Sequence, residues 1–462
     1  MKKEGVSMRK TQIRDFTQGS ITRQLIPFAL PLFLSNLLQV VYNMVDMIVV
    51  GHVLGKTGTS AVAVGGDVSA FLTFIAMGFS SAGQVLIAKY IGSRQAEKLG
   101  RFVGTMTGFL LVCAVVISGI ALIFQDGILY LMNTPQESYK GAADYSAICM
   151  IGLVFIYGYN IVSAILRGMG DSKHPFLFIG IAAVLNVLLD LLFVMGLDLG
   201  AGGAALATVI SQGVSFLCCS MFLLKRREQF SLFFAWRDFI HWDTSMLGSL
   251  VKLGAPMALK SASVQFSKLF VNSWINSYGV EVSAFAGIAN KISSTANLVS
   301  NAMNTAGSTM VGQNIAAGKF GRVTKILVRL TQITLSIAAL FSAVVVLFPQ
   351  TLFRLFTSDE AVLAIVPVYI PIAVLLFVGA ALRSAMNALI NGSGNFKVNF
   401  VTAILDGIVM RIGLAILFGL VLDMRHYGFW LGDALAGFTP FCVGFVFYFT
   451  GLWRKDRAKQ SQ

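Results

Sequence analysis

Residues 25–50 read LIPFALPLFLSNLLQVVYNMVDMIVV, with one carboxylate, Asp46, near the far end. About 20 consecutive apolar residues span the hydrocarbon core of a bilayer. A charge inside such a run costs roughly 2.5–3.5 kcal/mol on insertion scales, so it is rarely present without a use. A second run, Pro175–Gly196, repeats the situation with Asp190. Counted back from Gly51 and Gly196, which close the two runs, each carboxylate lies about 7–9 Å in from the same membrane face. Two carboxylates at matched depth on two helices point to a shared ion or proton site.

The rest of the 462-residue chain has the same character: 56% of it is hydrophobic and 12% charged, with mean hydropathy +0.77. A soluble domain is nearer 25% charged. The pattern predicts twelve spans, near residues 25–50, 61–88, 101–124, 141–167, 175–196, 202–224, 247–276, 282–312, 323–348, 362–390, 397–421 and 428–453. The fold class expected is therefore an all-α membrane protein with no sizeable soluble domain. The net charge of +14 reflects topology rather than a nucleic-acid partner. With loops assigned alternately to the two sides, 26 of the 35 Lys and Arg fall on the side of the N-terminal tail; four, Lys56, Lys140, Arg354 and Arg425, fall on the other. This positive-inside pattern places both termini in the cytoplasm. The five cysteines all fall inside spans and read as small apolar residues with free thiols. The polar N-terminus leads into a full-length span rather than the short core of a cleaved signal.

Shifted by 224 residues, the chain aligns with itself. Ser81-Ala82-Gly83 falls on Thr305-Ala306-Gly307, Arg167–Asp171 on Asn391–Asn395, and Pro31 within one residue of Pro256. Six spans per half is an even number, so the halves share one orientation and are related by a pseudo-two-fold axis along the membrane normal. Proteins built this way place a substrate between the halves and rock them to alternate access. The expected organisation is a basic cytoplasmic tail (1–23), an N-terminal six-helix lobe (24–226), a cytoplasmic amphipathic linker (227–246), a C-terminal six-helix lobe (247–455) and a short cytoplasmic tail (456–462). Phe230, Leu232, Phe233, Phe234, Trp236 and Phe239 suit a linker helix lying at the membrane interface.

Polar stripes mark faces that see water or a neighbouring helix. The first span carries Asn36, Gln39, Asn43 and Asp46, and the fourth pairs Tyr157 with Asn160. The seventh carries Ser261, Gln265, Lys268 and Asn272, the eighth Asn290 through Asn297 to Ser308, and the tenth Arg383, Asn387 and Asn391. One stripe alone is equally explained by interhelical hydrogen bonds. Stripes on the first, seventh, eighth and tenth spans together favour a wet central cavity. Thr208, on the sixth span, lies at the depth of Asp46 and Asp190, and Asn186 sits one turn deeper than Asp190. Two carboxylates, an amide and a hydroxyl offer hard oxygen ligands for Na⁺. Alternatively, two close carboxylates share a proton. The 224 shift sends Asp46 to Phe270, Asn186 to Met410 and Asp190 to Leu414, so the acidic site is expected in the N-terminal half only. The other half carries Lys260, Lys268, Lys291, Arg383 and Arg411, with Asp406 as its one clear acid.

Pro27-Phe-Ala-Leu-Pro31, Asp46 before Gly51, Leu166-Arg-Gly-Met-Gly-Asp171, Asn186-x-x-x-Asp190 and Gly203-Ala-Ala-Leu-Ala-Thr208 together resemble the multidrug and toxic compound extrusion (MATE) family along nearly the whole chain. The bacterial branch named for DNA-damage-inducible protein F is the nearest match. That resemblance implies cation coupling at Asp46, Asn186, Asp190 and Thr208, which become metal ligands only if the ion is Na⁺. It also implies an adjoining N-lobe cavity lined by Gln39 and Asn160. Asn43, Tyr157 and Asn297 from the stripes, and Lys260 and Arg411 from the basic C-terminal half, are further cavity candidates. The implied function is efflux of a small amphipathic drug or metabolite by H⁺ or Na⁺ antiport, by a monomer surrounded by lipid in a bacterial inner membrane, with no cofactor. A lipid-linked-oligosaccharide flippase of the same superfamily is the alternative, its pyrophosphate suiting a basic cavity. The scattered histidines, the lack of H-E-x-x-H and G-x-S-x-G, and the lack of a P-loop exclude an enzyme or a direct ATP drive within the chain.

Overall fold

The computed structural model describes residues 12–233 and 235–457. Every expected span falls on a helix, and no strand occurs among the described residues. Helices α1 and α2 form one continuous element, Ile21–Gly92, broken at Gly55, whose φ of 63° and ψ of −155° lie outside the helical region. α1 is thus residues 21–54 and α2 residues 56–92; the loop expected after Val50 is helical except at this glycine. α3 is Ala96–Ile123. α4 joins Gln136–Ile151 to Leu153–Gly168 across a 48° bend. α5 is Lys173–Asp190, extended by a π turn over Leu191–Gly196, and α6 is Gly200–Lys225.

The second lobe repeats the series. α7 is Thr244–Asn276, α8 Val280–Ala316, α9 Phe320–Leu347 and α10 Val366–Ser393. α11 runs from Phe396 to Val421 with π turns at Leu405–Val409 and Leu417–Val421. α12 joins Arg425–Ala436 to Thr439–Phe449. Among the described residues, eight helices, counting Ile21–Gly92 as one, are long and apolar enough to cross a membrane, and the bent α4 pair makes a ninth. α7 and α8 are long enough, at 33 and 37 residues, but their polar stripes lower their hydropathy.

Backbone details recur at a fixed offset. Positive φ is found at Gly55 and Gly279 and at Gly170 and Gly394, each pair 224 residues apart. Beyond α11 the offset becomes 225: Asp198 pairs with Asp423, and Gly200 with Arg425. The extra residue enters at the π turn Leu405–Val409, because a π turn is an α-helix with one residue inserted. The equivalents of Asn186 and Asp190 are therefore Arg411 and Ala415, not Met410 and Leu414, and Thr208 pairs with Asp433. Packing agrees: Gly203 abuts the Phe193 carbonyl, and Gly428 abuts the Phe418 carbonyl.

The lobes meet on the face that carries the N-terminus, from mid-span outward. An added Cβ at Gly78 would lie 2.3 Å from the Ala258 backbone nitrogen, and one at Gly92 2.2 Å from the Gln313 carbonyl, so only glycine permits this approach. Gln84 donates to the Thr305 carbonyl and the Thr309 hydroxyl, at 3.2 and 2.7 Å, and accepts from Arg167 at 3.1 Å. All hydrogen bonds between the lobes found among the described residues lie in this half.

The segment before α1 is also tied to this seam. Phe16 is fully buried. Its amide donates to Gln313 Oε1, and its carbonyl accepts from Asn314 and Arg322. Arg322 also reaches the Gln18 and Gly19 carbonyls, while the Arg14 amide donates to the Met169 carbonyl of the other lobe. This stretch of the expected tail is a clasp across both lobes; residues 1–11 and 458–462 lie outside the described residues. The linker differs from expectation too. It forms only a four-residue 3₁₀ turn, Trp236–Phe239, because Phe230 and Leu232 are drawn into the N-lobe core. Phe233, Trp236 and Ile240 remain exposed, and Phe234 lies outside the described residues.

Phe16→Ala is expected to destabilise the protein by about 3–5 kcal/mol, as for a buried aromatic elsewhere. Ile123→Ala, at a residue 77% exposed, should leave the melting temperature nearly unchanged. Thermal unfolding of both variants in detergent checks the contrast, and equal melting temperatures would deny the clasp its role.

Candidate functional site

α1, α5 and α6 bring together Asp46, Asn186, Asp190 and Thr208. Asn186 and Asp190 are one turn apart and so share a face. Thr208 stands eight residues inside α6, which starts at the left-handed Gly200 and approaches the end of α5 closely because Gly203 has no side chain. Asp46 is 7% exposed, Asn186 2% and Asp190 0%. The Asn186 amide donates to the Thr208 hydroxyl at 3.4 Å.

The remaining valences of this group are open. Asp46 Oδ1, both Asp190 oxygens and Asn186 Oδ1 are buried and make no hydrogen bond among the described residues. Buried oxygens almost always have a partner, and each exception asks for an explanation. The two carboxylates interact electrostatically, and the Tyr42 and Tyr145 phenols lie within range of Asp46. No Lys or Arg pairs with either carboxylate among the described residues. A buried carboxylate of this kind is tolerable when protonated or when a cation sits on it. Asp190 directly precedes the π turn Leu191–Gly196, a local distortion common at functional sites. Na⁺ would find two carboxylates, an amide oxygen and a hydroxyl here. No group of three or more His, Cys, Asp or Glu suited to a metal occurs among the described residues.

The other sequence candidates divide. Asn43 is exposed, and Gln39, Asn160 and Asn297 are half-buried, as faces on a cleft would be. The Asn160 amide donates to its own helix, at the Ile156 carbonyl. Tyr157 lies elsewhere: it is fully buried, and its hydroxyl donates to the Leu72 carbonyl at 2.9 Å, which ties α4 to α2 inside the N-lobe. The stripe on α8 serves two purposes. Asn290 and Asn301 are exposed, whereas Thr309, Gln313 and Asn314 are buried in the seam.

In the C-lobe, Arg411 is 2% exposed and binds both Asp406, at 3.0 Å, and Asp433. It is an ion-pair centre rather than a cavity-lining residue. Asp433 was the acid the sequence did not single out; its register with Thr208 is visible only once the π turn is allowed for. Lys260 donates to Asn387 Oδ1 at 2.6 Å and Arg383 donates to Asn297. All five cysteines are free.

Two six-helix lobes, joined along one face and carrying buried charge within their spans, define a membrane transporter. Residues 31–192 and 256–417 each match the MatE family model, one match per lobe and 225 positions apart at both ends. The chain belongs to the MatE family, the multidrug and toxic compound extrusion transporters; it is a transport protein, not an enzyme. It is 29% identical over 441 residues to a Bacillus subtilis (strain 168) protein named "Probable multidrug resistance protein YpnP", covering 95% of this chain and 97% of that one. It is 27% identical over 445 residues to "Probable multidrug resistance protein YoeA" of the same organism, covering 96% of each. A solved crystal structure of MATE in the bent conformation superposes with a TM-score of 0.90 at 23% identity, over 97% of this chain and 100% of that one. A structure described as the outward-facing conformation of a multidrug resistance MATE family transporter gives 0.88 at 23%, over 96% and 98%.

Removing Arg411 alone should be severe. Arg411→Met leaves two carboxylates buried together and is expected to cost about 3–5 kcal/mol. Adding Asp406→Asn and Asp433→Asn should recover much of the loss. A triple variant no more stable to heating than the single one would contradict the ion-pair assignment.

Proposed function

We propose that the protein is a multidrug efflux transporter driven by antiport of H⁺ or Na⁺, with the coupling ion taken by Asp46, Asn186, Asp190 and Thr208. The observation that carries this reading is the set of four buried oxygens on Asp46, Asn186 and Asp190 that make no hydrogen bond among the described residues. The names of the two Bacillus relatives support export of small molecules. The charge asymmetry of the loops supports an orientation with the clasped face in the cytoplasm, and the Bacillus relatives support a bacterial cell membrane. In that orientation the lobes are closed toward the cytoplasm and the conformation is outward-facing.

Coupling follows from differential binding. An ion can shift the two access states only as far as its affinity differs between them. An ion that reaches the carboxylates from outside removes the cost of two adjacent negative charges at depth. Each chain contains both lobes and the whole ion site, so a monomer suffices.

Asp46→Asn and Asp190→Asn are each expected to abolish gradient-driven efflux while the protein still inserts and purifies. Efflux of two fluorescent probes, the cation ethidium and the anion carboxyfluorescein, from proteoliposomes under an imposed ΔpH, compared with an imposed Na⁺ gradient, identifies the ion by whichever probe the wild type exports. Full efflux by both variants would remove the site from the mechanism.

A further inference from the structure

The C-lobe holds charge that efflux coupling does not use. Among the described residues, Lys260 and Lys268 on α7, Arg383 on α10 and Arg411 on α11 interact electrostatically with one another and with two acids, Asp406 on α11 and Asp433 on α12. Both carboxylates are ion-paired to Arg411. Lys260, Lys268 and Arg383 make no ion pair with a carboxylate among the described residues. Arg383 and Lys260 are steadied by neutral amides, Asn297 and Asn387, which orient them without cancelling their charge.

The cluster is rigidly built. The Ser267 hydroxyl donates to the Gly407 carbonyl inside the π turn, and Gly407 packs against Ser263, where an added Cβ would lie 2.5 Å from the Ser263 Cβ. α7 is thereby fixed against the turn that carries Asp406. Arg411 Nε is buried and has no hydrogen-bond partner among the described residues. Lys260, Lys268 and Arg383 are half-buried rather than sealed in. Uncompensated cations at this depth are costly and are typically found on a ligand path.

We propose that Lys260, Lys268 and Arg383, backed by Arg411, form an anion-binding subsite that takes the carboxylate or phosphate group of an amphipathic substrate. The surplus of two positive charges sets the sign of the ligand, and the guanidinium and ammonium groups offer the charge-assisted donors such oxygens need. Substrates of this transporter would then be anionic or zwitterionic amphiphiles. The word substrate rests on the transport reading above; the binding site itself does not.

Equilibrium binding to purified full-length protein in nanodiscs, with no gradient, tests the subsite separately from coupling. The probes are dodecyl phosphate, dodecyltrimethylammonium and inorganic phosphate. Dodecyl phosphate is expected to bind more tightly than the ammonium probe. Lys268→Gln, at a side chain with no hydrogen bond among the described residues, should weaken the phosphate probe by about tenfold or more, equivalent to about 1.4 kcal/mol. Lys268→Arg should restore it, and Asp190→Asn should leave it intact even if efflux is lost. Tighter binding of the ammonium probe, or equal weakening of both probes by Lys268→Gln, would overturn the proposal. Displacement of dodecyl phosphate by an equal concentration of inorganic phosphate would overturn the amphiphile class.

Discussion

Two carboxylates buried beside each other, with no counter-charge among the described residues, constrain everything around them. Asp46 and Asp190 sit in helices that cross a membrane, where every unneutralised charge is expensive. The protein supplies no resident cation to them among the described residues, so in the reading proposed above a mobile one does. The same place in the C-lobe is solved differently. Arg411 stands where the N-lobe has Asn186, Asp433 stands where it has Thr208, and the guanidinium pairs with both neighbouring carboxylates. One fold position thus holds carboxylates without an ion pair among the described residues in one lobe and an ion-paired guanidinium in the other.

That asymmetry acts through a common seam. Gly78, Gly92, Gln84, Thr305 and Thr309 hold the lobes together on the face of the termini, and the clasp around Phe16 adds hydrogen bonds to both sides. Interhelical hydrogen bonds within membranes are individually weak, about 0.6–2 kcal/mol. A handful of them, with close glycine contacts, is a scale of energy that ion binding can offset.

Much of this was legible in the sequence, for physical reasons. Bilayer thickness fixes span length, so the helices could be counted. Buried carboxylates stand out in apolar runs, so Asp46 and Asp190 were visible, and their depth led to Thr208. The repeat was visible in glycine and proline positions that only those residues can fill. What the sequence hid depends on geometry that leaves no pattern. The π turn at Leu405–Val409 moves the register by one, which concealed the equivalence of Arg411 with Asn186 and left Asp433 unnoticed. The clasp bonds mainly through backbone carbonyls, so residues 12–20 read as a mere polar tail. Tyr157 carries a hydroxyl that looks suited to a cavity but satisfies a buried carbonyl instead.

The central claim is that Asp46 and Asp190 together bind one exchangeable cation. The most direct measurement is cation uptake by purified protein at equilibrium, reading proton release with a pH indicator and ²²Na⁺ retention in parallel. One cation per chain should bind to the wild type, and none to Asp46→Asn/Asp190→Asn. Unchanged uptake by the double variant would contradict the claim.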